Sequence, residues 1–161
     1  MKKIFQMGVF LILLAACISV SSADFVHVSW ADFKGDKHDE GYDINMNWVD
    51  KQVDSGHLYA GVHLPEGAII KNMRVLLIDT SADYNVTVRF IRSNMYLGTG
   101  DSIFEVSSSG SSGAVQSLVD SSTDVASNRK VYTNVLTYSV QLYFSGGDGN
   151  IKVYGVVFEY E

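Results

Sequence analysis

The chain has 161 residues, a formal net charge of −6 at pH 7, one proline and one cysteine. Its lysines and arginines are scattered along the sequence, which excludes nucleic acid and anionic lipid head groups as main partners, because both require clustered positive charge. A chain of this length suits one folded domain.

The N-terminal residues have the pattern of a secretory signal peptide. Lys2-Lys3 gives a positive start, residues 4–20 are almost entirely apolar, and Ser21-Ser22-Ala23 supplies the small residues of a cleavage site. The apolar run is slightly shorter than the roughly 20 residues that a membrane-spanning helix needs. We therefore expect a signal peptide over residues 1–23 and a single extracytoplasmic domain over residues 24–161. Removal of the two lysines leaves that domain with a net charge of −8.

A second processing site overlaps the first. Leu14-Ala15-Ala16-Cys17 has the form of the lipobox of bacterial lipoproteins, in which the cysteine is lipidated and becomes the new N-terminus. Cys17 also fits as an ordinary small apolar residue of the signal peptide, so lipidation at Cys17 and cleavage after Ala23 both stay open. Secreted, periplasmic and lipid-anchored cell-surface locations are the corresponding alternatives. In each case the domain has no internal disulfide, so its stability must come from its core.

The region after residue 24 is dominated by the two-residue alternation of β-strands. Val86, Val88 and Phe90 share one face of residues 86–90, and every even-numbered position of residues 136–144 is apolar or aromatic. Side chains alternate between the faces of a strand, so each segment predicts a strand with one buried face. No sustained helical period is present. Further strands are expected at residues 25–30, 57–64, 68–80, 102–106, 114–119 and 151–160.

About eight short strands with turns between them predict an all-β domain. We expect an antiparallel two-sheet sandwich of jelly-roll type, with a single closed β-barrel as the alternative. The continuous apolar run at residues 75–78 predicts a strand covered on both faces, and the change of apolar phase at Gly155 predicts a bulge. Residues 145–150 predict a hairpin loop between the two strongest strands, and the serine-rich residues 107–113 predict a flexible surface loop.

One segment carries a family resemblance. Residues 59–68 read Tyr-Ala-Gly-Val-His-Leu-Pro-Glu-Gly-Ala. This segment resembles a group of exported bacterial β-sandwich proteins whose pattern runs Tyr-Ala-Pro-Val-His-Leu-Pro-Asp-Gly-Ala, with Gly61 here in place of a proline. The similarity continues at residues 75–89, 106–110 and 151–160, and so covers most of residues 57–160. The resemblance implies a β-sandwich and export, and it supplies no catalytic residues.

Aromatic residues are the leading candidates for ligand binding. Trp48, Tyr42 and Tyr59, together with Trp30, could build a surface that stacks on sugars, because flat exposed rings bury the apolar faces of a carbohydrate. The alternative is that these residues belong to the core, where tyrosine and tryptophan are often well buried. Trp48 is the least core-like of the four, since polar residues surround it in the sequence.

A dense acidic group offers oxygen ligands for Ca²⁺. Asp36, Asp39 and Asp43, with Glu40 among them, lie in one short segment. The segment lacks the Asp-x-Asp-x-Asp-Gly spacing of an EF-hand loop, although separate loops of a sandwich can also gather calcium ligands. A solvated acidic loop is the alternative, and no other cofactor is expected.

Catalytic patterns are absent from the sequence. Gly110-Ser111-Ser112-Gly113 has the wrong spacing for a nucleophile elbow, and the only cysteine lies in the expected signal peptide. We therefore expect a non-enzymatic extracytoplasmic module with a surface-binding or structural role, whose partner is a carbohydrate or a cell-surface protein. The alternatives are a small secreted hydrolase that acts on glycans through two carboxylates and a self-assembling cell-surface subunit.

Mass spectrometry of the mature protein tests the predicted processing. We expect a chain that begins either at Asp24, with an unmodified mass, or at Cys17, with the added mass of a lipid. A mature chain that still begins at Met1 would contradict both alternatives.

Overall fold

The computed structural model describes residues 23–35, 41–52, 54–110, 112–121 and 129–161. Within these ranges the chain forms one turn of 3-10 helix, Trp30–Asp32, and eleven strands, which confirms the all-β prediction. No helix in the described part of the chain combines the length and the apolar character needed to cross a membrane. The strands are β1 (Asp24–Ser29), β2 (Lys34–Gly35), β3 (Tyr42–Ile44), β4 (Val49–Lys51), β5 (Gly56–Gly61), β6 (Ile70–Asp79), β7 (Val86–Asn94), β8 (Thr99–Ser107), β9 (Ser112–Asp120), β10 (Leu136–Phe144) and β11 (Ile151–Tyr160).

The strands form two antiparallel sheets that pack face to face. Sheet A has the order β3-β4-β11-β6-β9, with β1 also paired to β11, and sheet B has the order β2-β5-β10-β7-β8. Neither sheet closes on itself, so the two-sheet, jelly-roll-like sandwich is confirmed and the closed barrel is wrong.

The core follows from the alternation that the sequence displays. On β7, Val86, Val88 and Phe90 are fully buried, while Thr87 and Arg89 are partly exposed on the opposite face. On β10 the even-numbered residues from 138 to 144 are buried in the same way. These inward rows of sheet B meet the inward rows of β6 and β11 in one continuous hydrophobic cluster. Each large apolar side chain buried there contributes roughly 1.5–3 kcal/mol.

Phe90 lies where the two sheets meet. Its ring centroid is 4.5 Å from that of Phe158 on β11, 5.7 Å from that of Tyr138 and 6.3 Å from that of Phe104. Phe158 belongs to sheet A and the other three residues to sheet B, so the shortest of these ring contacts joins the two sheets. Such aromatic pairs contribute about 0.5–1.5 kcal/mol beyond their burial.

The predicted bulge at Gly155 is confirmed. The pairing of β11 with β6 shifts register between Val153 and Gly155. A Cβ atom at position 155 would lie 2.8 Å from the carbonyl oxygen of Val28 on β1, which is closer than side-chain carbons approach backbone oxygens. Glycine therefore lets β1 pair with β11 at this point.

The loop at residues 145–150 is not a hairpin loop. It joins β10 of sheet B to β11 of sheet A, so the prediction of a hairpin is wrong. Strong strands that follow each other in sequence often pair, but in a jelly roll they can lie in different sheets.

Inside the loop at residues 145–150, Asp148 accepts hydrogen bonds from the Asn150 amide at 2.9 Å and from the Ser81 hydroxyl at 2.8 Å. Burial raises the pKa of Asp148, but these bonds outweigh it and leave that pKa below its usual value.

The apolar run at residues 75–78 lies in β6 and is not covered on both faces. Val75 and Leu77 are fully buried, whereas Leu76 and Ile78 are half-buried on the outer face of sheet A. The prediction of two covered faces is therefore wrong.

The serine-rich loop predicted at residues 107–113 is shorter than expected, because β8 extends to Ser107 and β9 begins at Ser112.

Truncation of Phe90 tests the contact between the sheets. Phe90→Ala should lower the free energy of unfolding by about 3–5 kcal/mol, because it removes a buried ring and leaves a cavity. Urea denaturation measures the change. The control is Thr87→Ala on the outer face of the same strand, which should cost no more than about 1 kcal/mol. Equal losses for the two variants would contradict the assignment of inward and outward faces.

The buried phenol of Tyr138 should make the domain sensitive to alkali. Burial raises the pKa of Tyr138, and the hydrogen bond that its hydroxyl accepts from the Tyr132 amide at 2.9 Å only partly offsets this effect. The unfolded chain loses this proton near pH 10, so the contribution of Tyr138 to stability is complete below that pH and is lost as the pH rises towards the folded pKa. Urea denaturation between pH 8 and about 11 should show a steeper loss for the wild type than for Tyr138→Phe. Parallel profiles for the two proteins would contradict the expectation.

Candidate functional site

A row of polar and aromatic side chains crosses the outer face of sheet B. Strand pairing places Lys34, Tyr59, Gln141, Arg89 and Glu105 side by side, one on each of the five strands. Neighbouring strands lie about 4.8 Å apart, so the row is roughly 19 Å long. The row exists because each member occupies an outward position of an alternating strand, in register with its neighbours.

Hydrogen bonds run along most of this row. Gln141 Nε2 donates to the Tyr59 hydroxyl at 2.8 Å, and Arg89 Nη1 donates to Gln141 Oε1 at 3.3 Å. Arg89 Nε then donates to Glu105 Oε2 at 2.7 Å in an ion pair. The pair is partly exposed, so it contributes about 1 kcal/mol at most. The bonds hold the side chains in place, while the Tyr59 hydroxyl keeps its own proton and Gln141 a second amide proton for a ligand.

A second row lies two residues further along the strands. It contains His57, Tyr143, Thr87 and Ser107, again on adjacent strands. The His57 ring contacts the rings of both Tyr59 and Tyr143, with centroid distances of 6.1 Å and 4.9 Å. The hydroxyls of Thr87 and Ser107 hydrogen-bond at 2.9 Å. The three rings thus form one half-buried aromatic surface beside hydroxyl, amide and charged groups.

We call these two rows the sheet B platform. Its members are Lys34, Tyr59, Gln141, Arg89, Glu105, His57, Tyr143, Thr87 and Ser107. The platform combines flat apolar rings with oriented hydrogen-bond donors and acceptors. That combination suits a ligand that has apolar faces and a polar edge rich in hydroxyl groups.

The aromatic residues predicted to bind a ligand do not form one surface. Tyr59 is part of the sheet B platform. Trp48 faces the outer side of sheet A, where its ring meets the edge of the Tyr154 ring at 6.3 Å and Lys152 Nζ lies 4.6 Å from the ring centroid. Tyr42 lies on β3 and packs against the core. The structure therefore places Tyr59 on the outer face of sheet B, Trp48 on that of sheet A, and Tyr42 partly buried on the edge strand β3.

The residues predicted to bind metal are only partly described. Asp36 and Asp39 lie outside the described residues, as does the lipidation candidate Cys17. Asp43 is exposed on β3, opposite Asp50 of β4. Among the residues that the structure describes, no group of three or more His, Cys, Asp or Glu side chains could hold a metal ion. The calcium site thus stays a prediction.

Three acidic residues, Asp24, Glu66 and Glu161, are among those that line a shallow cleft of the sandwich. Hydrogen bonds from the Thr133 hydroxyl and amide lower the pKa of Glu66, and Glu161 forms an ion pair with Lys71. A glycosidase acid requires the opposite, a carboxyl group whose pKa is raised so that it can donate a proton. Glu66 therefore lacks the raised pKa of such an acid.

Sequence reasoning missed most of the platform. His57, Gln141, Tyr143 and Arg89 all occupy the outward positions of strands that the alternation predicted. That alternation could have marked them as surface residues. It could not have shown that they are neighbours, because cross-strand register depends on which strands pair.

No family model matches the chain, and no curated protein matches it. Solved structures do resemble its fold. The chain is similar to a xylan-binding module, CBM15, with a TM-score of 0.50 and 12% sequence identity over 86% of this chain and 97% of that one. It also matches TmCBM61, solved in complex with beta-1,4-galactotriose, with a TM-score of 0.38 and 16% identity over 86% of this chain and 84% of that one. At such low identity the similarity to CBM15 concerns the fold, an antiparallel β-sandwich.

Proposed function

We propose that this chain is a non-catalytic, extracytoplasmic carbohydrate-binding module that holds a polysaccharide on the sheet B platform. The observation that carries the proposal is the contact of the Tyr59, His57 and Tyr143 rings beside the hydrogen-bonded Gln141 and Arg89. A sugar ring is apolar on its faces and polar around its edge. The aromatic rings would cover its faces, and the polar side chains would take its hydroxyl groups.

The form of the platform favours a chain of sugars over a single one. The first row extends for roughly 19 Å across five strands, which is longer than one sugar ring. Its side chains are built on paired strands rather than on a loop, so little conformational freedom would be lost on binding.

The similarity in fold suggests which ligand to test first. The xylan-binding module reported above shares its fold with this chain at a TM-score of 0.50. Xylan is therefore the first probe, and a glycan array extends the test to other polysaccharides. Export, which the pattern of residues 1–23 predicts, would bring the domain into contact with such polymers.

Substitution of Tyr59 tests the platform directly. We expect Tyr59→Ala to weaken xylan binding about ten-fold or more, equivalent to roughly 1.4 kcal/mol, because it removes both a stacking ring and the hydroxyl at the end of the hydrogen-bonded row. Isothermal titration calorimetry or affinity electrophoresis measures the change. Trp48→Ala should leave binding within about two-fold, since Trp48 faces the opposite side of the sandwich.

Tyr96→Ala is the matched control, because Tyr96 is a highly exposed tyrosine in the turn between β7 and β8, outside the platform. Circular dichroism and urea midpoints must show that each variant is folded. Loss of binding in Trp48→Ala together with full binding in Tyr59→Ala would move the site to sheet A. A folded wild-type protein that binds no glycan on an array would refute the proposal.

A further inference from the structure

A cleft of about 450 Å³ adjoins the sheet B platform at its Lys34 end. The last part of β1, the 3-10 helix, β2 and the segment after β5 surround it, and its walls include Asp32, Lys34, Val62 and His63. This volume is within the range of sites that hold a small organic group. The cleft lies at the edge of the sandwich, where β1 of sheet A approaches β5 and β2 of sheet B.

Lys34 belongs to both the cleft and the platform. It lines the cleft, and it is also the first member of the row that continues through Tyr59 and Gln141. Gly61 lines the same cleft and pairs with Ser139 on the next strand of sheet B. A polymer that follows the first row beyond Tyr59 therefore reaches this cleft.

Lys34 brings a positive charge to the cleft. Its side chain is exposed, and no acidic group within the described ranges pairs with it. Arg89, the fourth member of the same row, is by contrast paired with Glu105. Asp32 contributes a carboxylate to the cleft, and its Oδ2 already accepts a hydrogen bond from the Ser29 amide at 2.9 Å. The cleft thus places Lys34, which is unpaired among the described residues, next to a carboxylate that can accept hydrogen bonds from hydroxyl groups.

We infer that this cleft binds a uronic acid carried by the polysaccharide, with Lys34 facing the carboxylate and Asp32 accepting from ring hydroxyls. The inference rests on the proposed function, since the sheet B platform must hold the backbone of the same polymer. A uronic acid has both a carboxylate and hydroxyl donors, and so it matches both groups of the cleft. His63 adds a ring nitrogen as a further hydrogen-bonding group.

Two forms of one polymer test this inference. The probes are glucuronoxylan and the same glucuronoxylan after chemical reduction of its carboxylates to neutral alcohols. We expect the wild type to bind the acidic form about two- to five-fold more tightly, the size that a partly exposed ion pair supplies. Lys34→Gln should bind both forms with equal affinity, because it removes the charge that distinguishes them.

Two further variants control the experiment. Lys34→Arg keeps the charge and should keep the preference for the acidic form. Lys152→Gln makes the same change of charge on the outer face of sheet A, and it should also keep the preference. Equal binding of the two polymers by the wild type, or a preference that persists in Lys34→Gln, would overturn the inference and leave the platform intact. Binding of neither polymer by the folded wild type would overturn the proposed function, and the inference with it.

Discussion

The packing of two inward rows of side chains across the interior of the sandwich governs the rest of this molecule. Phe90 and Phe158 meet there with their ring centroids 4.5 Å apart, and the folded domain has no disulfide that could replace such contacts. Because side chains alternate along a strand, burial of the inward residues places the residues between them on the outer face of the sheet. Strand pairing then sets the distances between these outer side chains. The sheet B platform is therefore a consequence of the core, because Thr87 and Arg89 face outward only when Val88 and Phe90 face inward.

The two outer faces of the sandwich have different chemistry. On sheet B the outward side chains bond to one another across the strands, as Gln141 does with both Tyr59 and Arg89. On sheet A the outward positions of β6 include the half-buried aliphatic residues Leu76 and Ile78. A hydrogen-bonded surface with stacked rings is preorganised for a polar ligand, because its side chains lose little freedom on binding. The proposed glycan site depends on this property of sheet B.

Trp48 illustrates why residue type alone does not locate a binding surface. Its polar sequence neighbours indicated exposure, and it does lie on an outer face. Its indole nitrogen, however, donates to Asp50 at 3.1 Å, and the ammonium of Lys152 lies over its ring. These contacts already occupy the indole N–H and part of the ring face, which are the groups of Trp48 that a sugar would contact. Tyr59 has less distinctive sequence neighbours, but strand pairing places it beside Gln141 and Lys34 in the sheet B platform.

The sequence by itself determined the eight longer strands, the inward and outward positions of β7 and β10, and the bulge at Gly155, but it did not predict the short strands β2, β3 and β4. These features follow from local alternation and from the steric needs of single residues, which a linear pattern records. Only the tertiary structure decided that β10 and β11 lie in different sheets and that Lys34, Tyr59 and Gln141 form one row. The physical reason is that sheet membership and register arise from contacts between residues that are distant in sequence, such as positions 34, 59 and 141.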